Sequence, residues 1–314
     1  MVGVSRQAVT DILNNSRPNC VSKEKREAIL RIASEHNYRP NHAAKALKTG
    51  KSNLIGIIMP PWHNPHIAEL CMALQRALAA ENYIPFFTLD NRVNPVPGNL
   101  EQLLSMQIAG LITVASSLLP DNISIPVLSY FQDNPRFDSL CMDAQESSRL
   151  TLEYLAKCGH RKIGYLGWLP DSRVKFLTEE AKQRGLEFRE CWQIGAPHPL
   201  EAELFDQLLK SGDGKDLPTA LVIHNDILAL KIMRRIHECG YRVPEDFSVI
   251  GYDDISQSRN AIPALTTISC GSADEVAGAM VRLLMNRIRN PQAPREKAVL
   301  KTVLIKRESV LELT

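Results

Sequence analysis

Arg6, Gln7 and Asp11 lie near the amino terminus, on or near one face of a segment with helical spacing. A guanidinium can bridge guanine O6 and N7, and a carboxamide can bridge adenine N6 and N7. An Arg-Gln pair at the start of a helix therefore suits base edges in a DNA major groove. Asp11 can accept from cytosine N4, orient Arg6, or repel phosphate. The same residue types would also serve a solvated helix face. Far along the chain, Asp253 ends the apolar run Val249-Ile250-Gly251-Tyr252. A carboxylate there can accept hydrogen bonds from two neighbouring hydroxyls of a sugar. Trp62, His63 and His66 stand beside the end of another apolar run, where they line either a cleft or plain surface. No GxGxxG, Walker A loop or HExxH is present, and spacing indicates no Ser/His/Asp set. The seven cysteines are scattered, with no CxxC pair, which argues against a zinc site and a disulfide framework. No catalytic residue, metal or cofactor is expected.

The elements that must position these residues fall into two regimes. Ser5 is a good N-cap, and Val9, Ile12 and Leu13 follow at helical spacing. Asn14 to Pro18 reads as a turn. Ser22 then caps a second helix with Ala28, Ile29, Ile32 and Ala33 on its apolar face, and Asn37 is a plausible stop. A short Ala-rich segment runs to Leu47, and Thr49-Gly50-Lys51-Ser52 is a linker. From Leu54 onward apolar strands alternate with helices. Strands are expected at Leu54–Met59, Ile84–Leu89, Leu111–Val114, Val127–Tyr130, Lys162–Leu166, Ala220–Ile223 and Ser248–Gly251. Ile67–Glu81, Glu146–Cys158 and Ile227–Cys239 read as helices between them. Such alternation implies parallel sheets in α/β layers, with a ligand site beyond the carboxyl ends of the strands. About 260 residues of these units is more than one sheet needs, so two lobes are expected.

Charge divides the same way. Residues 1–52 hold ten Lys/Arg and four Asp/Glu, whereas the rest of the chain is slightly acidic. A basic head suits phosphate. The longest apolar runs are too short to cross a bilayer, and no leader pattern opens the chain, so a cytoplasmic location and no membrane partner are expected.

The motifs, taken together, resemble the LacI/GalR family of transcription regulators. Gly3-Val4-Ser5-Arg6-Gln7-Ala8-Val9-Thr10 is similar to that family's GVSxxTVS recognition segment, and Tyr38-Arg39-Pro40-Asn41 with Ala44 and Leu47 to its YxPNxxAxxL hinge. Asn64-Pro65, Gly159-His160-Arg161 through Gly167, His224-Asn225-Asp226, and Val243-Pro244 through Asp254 follow in family order. Leu265-Thr266-Thr267-Ile268 and Arg307-Glu308-Ser309 close the series, which covers nearly the whole chain.

The resemblance implies an all-α helix-turn-helix head on a two-lobed, periplasmic-binding-protein-like α/β core with parallel sheets. The head is expected over 1–49, with a hinge helix at about 40–48. The core is expected over 53–314: a first lobe at about 53–158 plus 271–297, and a second at about 159–268 plus 298–314. The resemblance also implies a homodimer or tetramer on a pseudo-palindromic double-stranded operator. DNA contacts would come from Ser5, Arg6, Gln7, Thr10 and Asp11, and from Asn41, Ala44, Leu47 and Lys48 at the hinge. There Leu47 would wedge into the minor groove. Effector contacts would come from Asp253, Asn225, Asp143 and Arg173, with Trp62 and His66 beside them. Asp226 would cap the helix that follows it. For the family's cleft arginine, one count of spacing gives Arg173 and another gives Thr178, and the family's aromatic platform would fall near Ala196-Pro197-His198.

Family members carry some ten or more residues before GVS, where this chain has Met1-Val2. The expectation is a late start or a truncated product with weakened DNA binding. The expected function is a DNA-binding regulator, a repressor, controlled by a sugar or sugar derivative, phosphosugars included. The alternative is a sugar-binding protein of the same core without DNA-binding activity.

Overall fold

The structure is a computed structural model describing residues 3–13, 17, 19–36, 38, 52–60, 64–89, 96–168, 171–194, 203–211 and 216–313. The chain divides into two compact units, Met1–Asn53 and Leu54–Thr314.

In the first unit, α1 (Arg6–Leu13) packs on α2 (Lys23–Glu35). The Ser5 hydroxyl accepts from the Ala8 amide at 3.2 Å and the Ser22 hydroxyl from the Lys25 amide at 3.4 Å. Each cap satisfies an amide that the helix leaves unpaired. Among the described residues of this unit, Ile12 of α1 and Ile29 of α2 are the buried apolar side chains. The hinge positions Asn41, Ala44, Leu47 and Lys48 lie outside the described residues.

The second unit holds two six-stranded sheets. The first uses β1 (Leu54–Met59), β2 (Ile84–Leu89), β3 (Gly110–Thr113), β4 (Val127–Tyr130), β5 (Asp138–Met142) and β11 (Lys297–Leu300). Its order is β11-β5-β4-β3-β1-β2, with every pairing parallel. Residues of β1 alternate between two cores. Ile57 and Met59 join Leu70 and Leu74 of α3 (Pro65–Ala80) and Met280 and Leu284 of α10 (Ala273–Arg289). Ile58 faces the other way, into a core with Leu103 of α4 (Val96–Ser105) and Leu111. Burial on both faces is why the strand reads as a continuous apolar run.

The second sheet uses β6 (Lys162–Trp168), β7 (Glu187–Ile194), β8 (Ala220–Ile223), β9 (Ser248–Tyr252), β10 (Thr266–Ser269) and β12 (Val303–Ile305). Its order is β12-β10-β9-β8-β6-β7, with β12 antiparallel to β10 and the remaining pairs parallel. Around it lie α5 (Ala144–Lys157), α6 (Ser172–Arg184), α7 (Glu203–Ser211), α8 (Asp226–Glu238) and the short α9 (Ser256–Asn260).

The lobe boundaries differ from the expected ones. Leu152 and Leu155 of α5 share a core with Ile163, Leu177 and Ile250, so α5 belongs to the second lobe. The first crossing therefore falls at Asp143 rather than 158. β11 pairs with β5, so the first lobe extends to Leu300 rather than 297. Strand order reverses between β1 and β3 in one sheet and between β6 and β8 in the other. The carboxyl ends at these reversals are where such sheets leave a crevice.

Candidate functional site

In the head, Arg6 and Gln7 occupy the first turn of α1 and are exposed. Gln7 Nε2 donates to Asp11 Oδ1 at 3.0 Å. Asp11 thus orients Gln7 in this structure, a partner not foreseen from the sequence. Thr10 Oγ1 is turned back onto the Arg6 carbonyl at 3.0 Å, and Ser5 is the cap already described.

In the core, the loops after β1, β6, β8 and β9 bring side chains together. Asn64 caps α3 with its Oδ1, which accepts from the His66 amide at 3.0 Å. Its Nδ2 donates to Asp253 Oδ2 at 2.7 Å. That bond joins the first lobe to the second, 189 residues away in sequence. Asp253 and Asp254 both hold left-handed backbones, with φ of 110° and 54°. Non-glycine residues there cost about 1–3 kcal/mol each and persist only where the surroundings enforce them. Here the Asp253 amide donates to the Ile268 carbonyl at 2.9 Å, and the Asp254 carboxylate accepts from Arg307.

Beside Asp253 lies a buried polar cluster. Asp171 caps α6, accepting from the Arg173 amide at 2.9 Å. Arg173 Nε sits 3.0 and 3.1 Å from the two Asp171 oxygens, and its Nη2 donates to Asp171 Oδ2 at 2.6 Å and to the His224 carbonyl at 2.9 Å. The guanidinium also stacks 4.1 Å over the Tyr252 ring. His224 Nδ1 lies 2.8 Å from Asp171, whose carboxylate also accepts from the Tyr165 hydroxyl. Gly167 makes room: a Cβ there would stand 2.4 Å from the Tyr165 hydroxyl and 2.8 Å from His224 Cβ. Burial opposes ionisation of Asp171, but the Arg173 charge and hydrogen bonds outweigh it and hold the carboxyl well below the usual range. Burial and the Arg173 charge push His224 down, so it is neutral at pH 7.

Other sequence candidates take structural roles. Asn225 Oδ1 caps α8, accepting from the Leu228 amide at 2.9 Å. The cap is therefore Asn225, not Asp226 as expected. Asp226 is buried one position later, tying three elements together. It accepts from Thr267 Oγ1 at 2.6 Å, Ser258 Oγ at 2.7 Å and the Ile255 amide at 3.1 Å. Burial pushes its carboxyl up to about 7 against those hydrogen bonds, with help from the Asp253 charge. Asp143 caps α5 through the Glu146 amide at 2.8 Å. Thr178 Oγ1 donates to the Val174 carbonyl at 2.9 Å, deeper along α6 than Arg173. Trp62, His63 and Ala196-Pro197-His198 lie outside the described residues. Phe131, just past β4, adds a part-exposed ring stacked on Tyr130 at 3.9 Å, with a left-handed φ of 68°. Among the described residues no group of His, Cys, Asp and Glu could hold a metal ion, and no helix is long and apolar enough to cross a membrane.

Sequence reasoning missed Asn64, Asp171, His224 and Phe131 as site residues. Asn64 before Pro65 carried a cap signal, since Pro favours the first helical position. Asp171 stood two residues before Arg173. Neither signal gave the partner.

Residues 1–41 match bacterial regulatory proteins of the lacI family, and residues 152–310 match the periplasmic binding protein-like domain. The HTH-type transcriptional repressor PurR of Haemophilus influenzae is 32% identical over 307 residues, covering 92% of this chain and 89% of the relative. The ribose operon repressor of the same species is 28% identical over 324 residues, covering 99% and 96%. The crystal structure of the lac repressor dimer bound to operator and the anti-inducer ONPF superposes with a TM-score of 0.82 at 26% identity, covering 99% of this chain and 96% of that one.

Proposed function

The chain belongs to the lacI family of bacterial regulatory proteins, and on that premise we propose how its two units divide the work. It is a DNA-binding transcriptional repressor under effector control, not an enzyme. The head reads the operator through Arg6 and Gln7 at the exposed start of α1. The core binds a small polyhydroxylated effector between its lobes, with Asp253 as the principal acceptor. The Asn64–Asp253 hydrogen bond carries this reading, because it sets a carboxylate from one lobe against the other at the strand carboxyl ends. An effector hydroxyl seated on Asp253 would contact both lobes and bias their closure. A ligand shifts such an equilibrium only by its differential affinity for the two states.

The protein acts as a homodimer in the cytoplasm. The surface around Ile262, which is 98% exposed beside the half-buried Leu230, Tyr241, Val243 and Pro263 and is rimmed by Arg234, His237, Arg242 and Glu245, is our candidate for self-association. Exposed apolar groups rimmed by polar ones are the pattern of an interaction site.

Asp253→Ala tests the effector reading. Removing one partner of a buried charge-assisted hydrogen bond costs about 2–5 kcal/mol. Calorimetric titration with a sugar that binds the parent should show affinity reduced about a hundredfold or lost, on that same scale. The variant should still bind operator in a gel shift but no longer respond to the sugar. Unchanged affinity would remove Asp253 from the effector site.

A further inference from the structure

Resting on the reading of the head as the operator-binding unit, we infer that Gln7 reads adenine and rejects guanine, and that Asp11 is the positioning residue that imposes this choice. Helical spacing brings the two together. Asp11 follows Gln7 by four residues on α1, so both side chains lie on one face of the helix. Gln7 Nε2 donates to Asp11 Oδ1 at 3.0 Å. A carboxylate accepts and does not donate, so the amide can meet Asp11 only through its nitrogen. That fixes which side of the Gln7 amide carries the nitrogen and which the oxygen. The neighbouring hydroxyl does not compete, because Thr10 Oγ1 donates to the Arg6 carbonyl at 3.0 Å.

An unrestrained glutamine is ambiguous in a major groove. Its nitrogen carries two hydrogens and its oxygen accepts. It can bridge adenine through one of each, or turn the nitrogen onto O6 and N7 of guanine. Asp11 removes the second option, because one Nε2 hydrogen is committed to the carboxylate. The hydrogen that suits the carboxylate is the one pointing away from Oε1, where oxygen lone pairs do not repel. One hydrogen beside one acceptor remains on the exposed amide. Adenine presents the complement, an N6 donor beside the N7 acceptor, whereas guanine presents two acceptors. The carboxylate charge acts in the same direction, since it attracts a nearby amino group and repels a carbonyl oxygen. This gives a role to an acidic side chain on a DNA-facing helix, in a segment, residues 1–52, that holds ten Lys/Arg and four Asp/Glu.

The test selects sites for the full-length chain from a randomised double-stranded DNA library, then titrates the selected duplex by fluorescence anisotropy. One position in each half-site should lose its preference in Gln7→Ala. There the parent should favour adenine over guanine by about tenfold or more, the discrimination of a bidentate pair. Asp11→Ala puts the best helix former in place of aspartate, so α1 persists. In that variant guanine should be accepted as well as adenine at the same position, with preferences elsewhere unchanged. Base analogues probe each half of the pair: 7-deazaadenine lacks N7, and unsubstituted purine lacks the N6 amino group. Each should weaken binding by the parent but not by Gln7→Ala. A guanine preference at that position, an adenine preference that survives in Asp11→Ala, or the absence of any Gln7-dependent position would overturn the inference and leave operator binding by the head standing. So would a cytosine preference elsewhere that is lost in Asp11→Ala, which would place Asp11 directly on a base. Failure of the parent to select any sequence would overturn the operator reading of the head, and this inference with it.

Discussion

Asn64 spans the two lobes with a single side chain: its Oδ1 caps α3 in the first lobe, and its Nδ2 donates to Asp253 of the second at 2.7 Å. The cap fixes the amide plane, so the donor is aimed before the lobes meet. Hydrogen bonds to charged groups contribute about 1.5–3 kcal/mol. The bond therefore favours the lobe arrangement in which Asn64 and Asp253 meet, even without an effector.

Asn64→Ser separates the two roles, since serine caps helices well but is too short to reach Asp253. The melting temperature of the variant should stay close to that of the parent. Its ligand-free form should be more open, with a larger radius of gyration by small-angle X-ray scattering. An unchanged radius would mean that the bond follows closure rather than favouring it.

Arg6 is exposed in the first turn of α1, and its side chain is available for base edges. Arg6→Ala should relax specificity at one operator position, at a cost of about 1–3 kcal/mol. The check is a set of binding curves against single-base operator variants. Uniform weakening across all of them would assign Arg6 to phosphate. Gln7 is held by Asp11, so Asp11→Ala should alter preference at the neighbouring base pair in the same assay.

Much of this architecture is legible in the sequence where one signal suffices. β1 was expected at Leu54–Met59 and is found there, because a continuous apolar run buried on both faces has one good solution. β5 was missed because Asp138 and Ser139 look like loop residues. Yet Asp138 is buried, and the Arg287 fork satisfies it at 2.8 Å from both Nε and Nη2. β7 was missed because Glu187, Arg189 and Glu190 break any apolar pattern, which an edge strand tolerates. In the site, single residues such as Asp253 and Arg173 were legible. Their partners were not, because the pairings of Asn64 with Asp253 and of Asp171 with His224 join segments far apart in the chain.

Ile262 is 98% exposed between Ala261 and Pro263, close to Leu230, Met233 and Tyr241. If this surface carries the dimer, Ile262→Asp places a charge in the interface and should give a monomer by sedimentation velocity. Effector affinity should persist, because none of the residues lining this surface belongs to the cluster around Asp253. Operator affinity should fall, since two half-sites would no longer be held together. A variant that remains dimeric would move the interface elsewhere.

Asp226 sets a pH dependence with a definite sign. Burial raises its folded-state carboxyl to about 7, against an ordinary value of 3.8. Between those values the folded chain keeps a proton that the unfolded chain has lost. Its contribution to stability is therefore full below the ordinary value and declines as pH rises through about 7. His160 and His224 act in the opposite sense. Burial depresses both, so their folded forms resist protonation and stability falls as pH drops below the ordinary histidine range. The whole-protein profile mixes these slopes, and comparison with Asp226→Asn isolates one of them. An asparagine with its oxygen in the Oδ2 place keeps an acceptor for Ser258 and the Ile255 amide, its NH2 can donate to a rotated Thr267 hydroxyl, and it cannot ionise. Stability of the parent relative to this variant should fall between about pH 4 and about pH 7 and level off above, at up to about 1.4 kcal/mol per pH unit. Urea unfolding of both proteins across that range provides the measurement. Parallel profiles would mean that Asp226 is ionised throughout, with its three hydrogen-bond donors outweighing its burial.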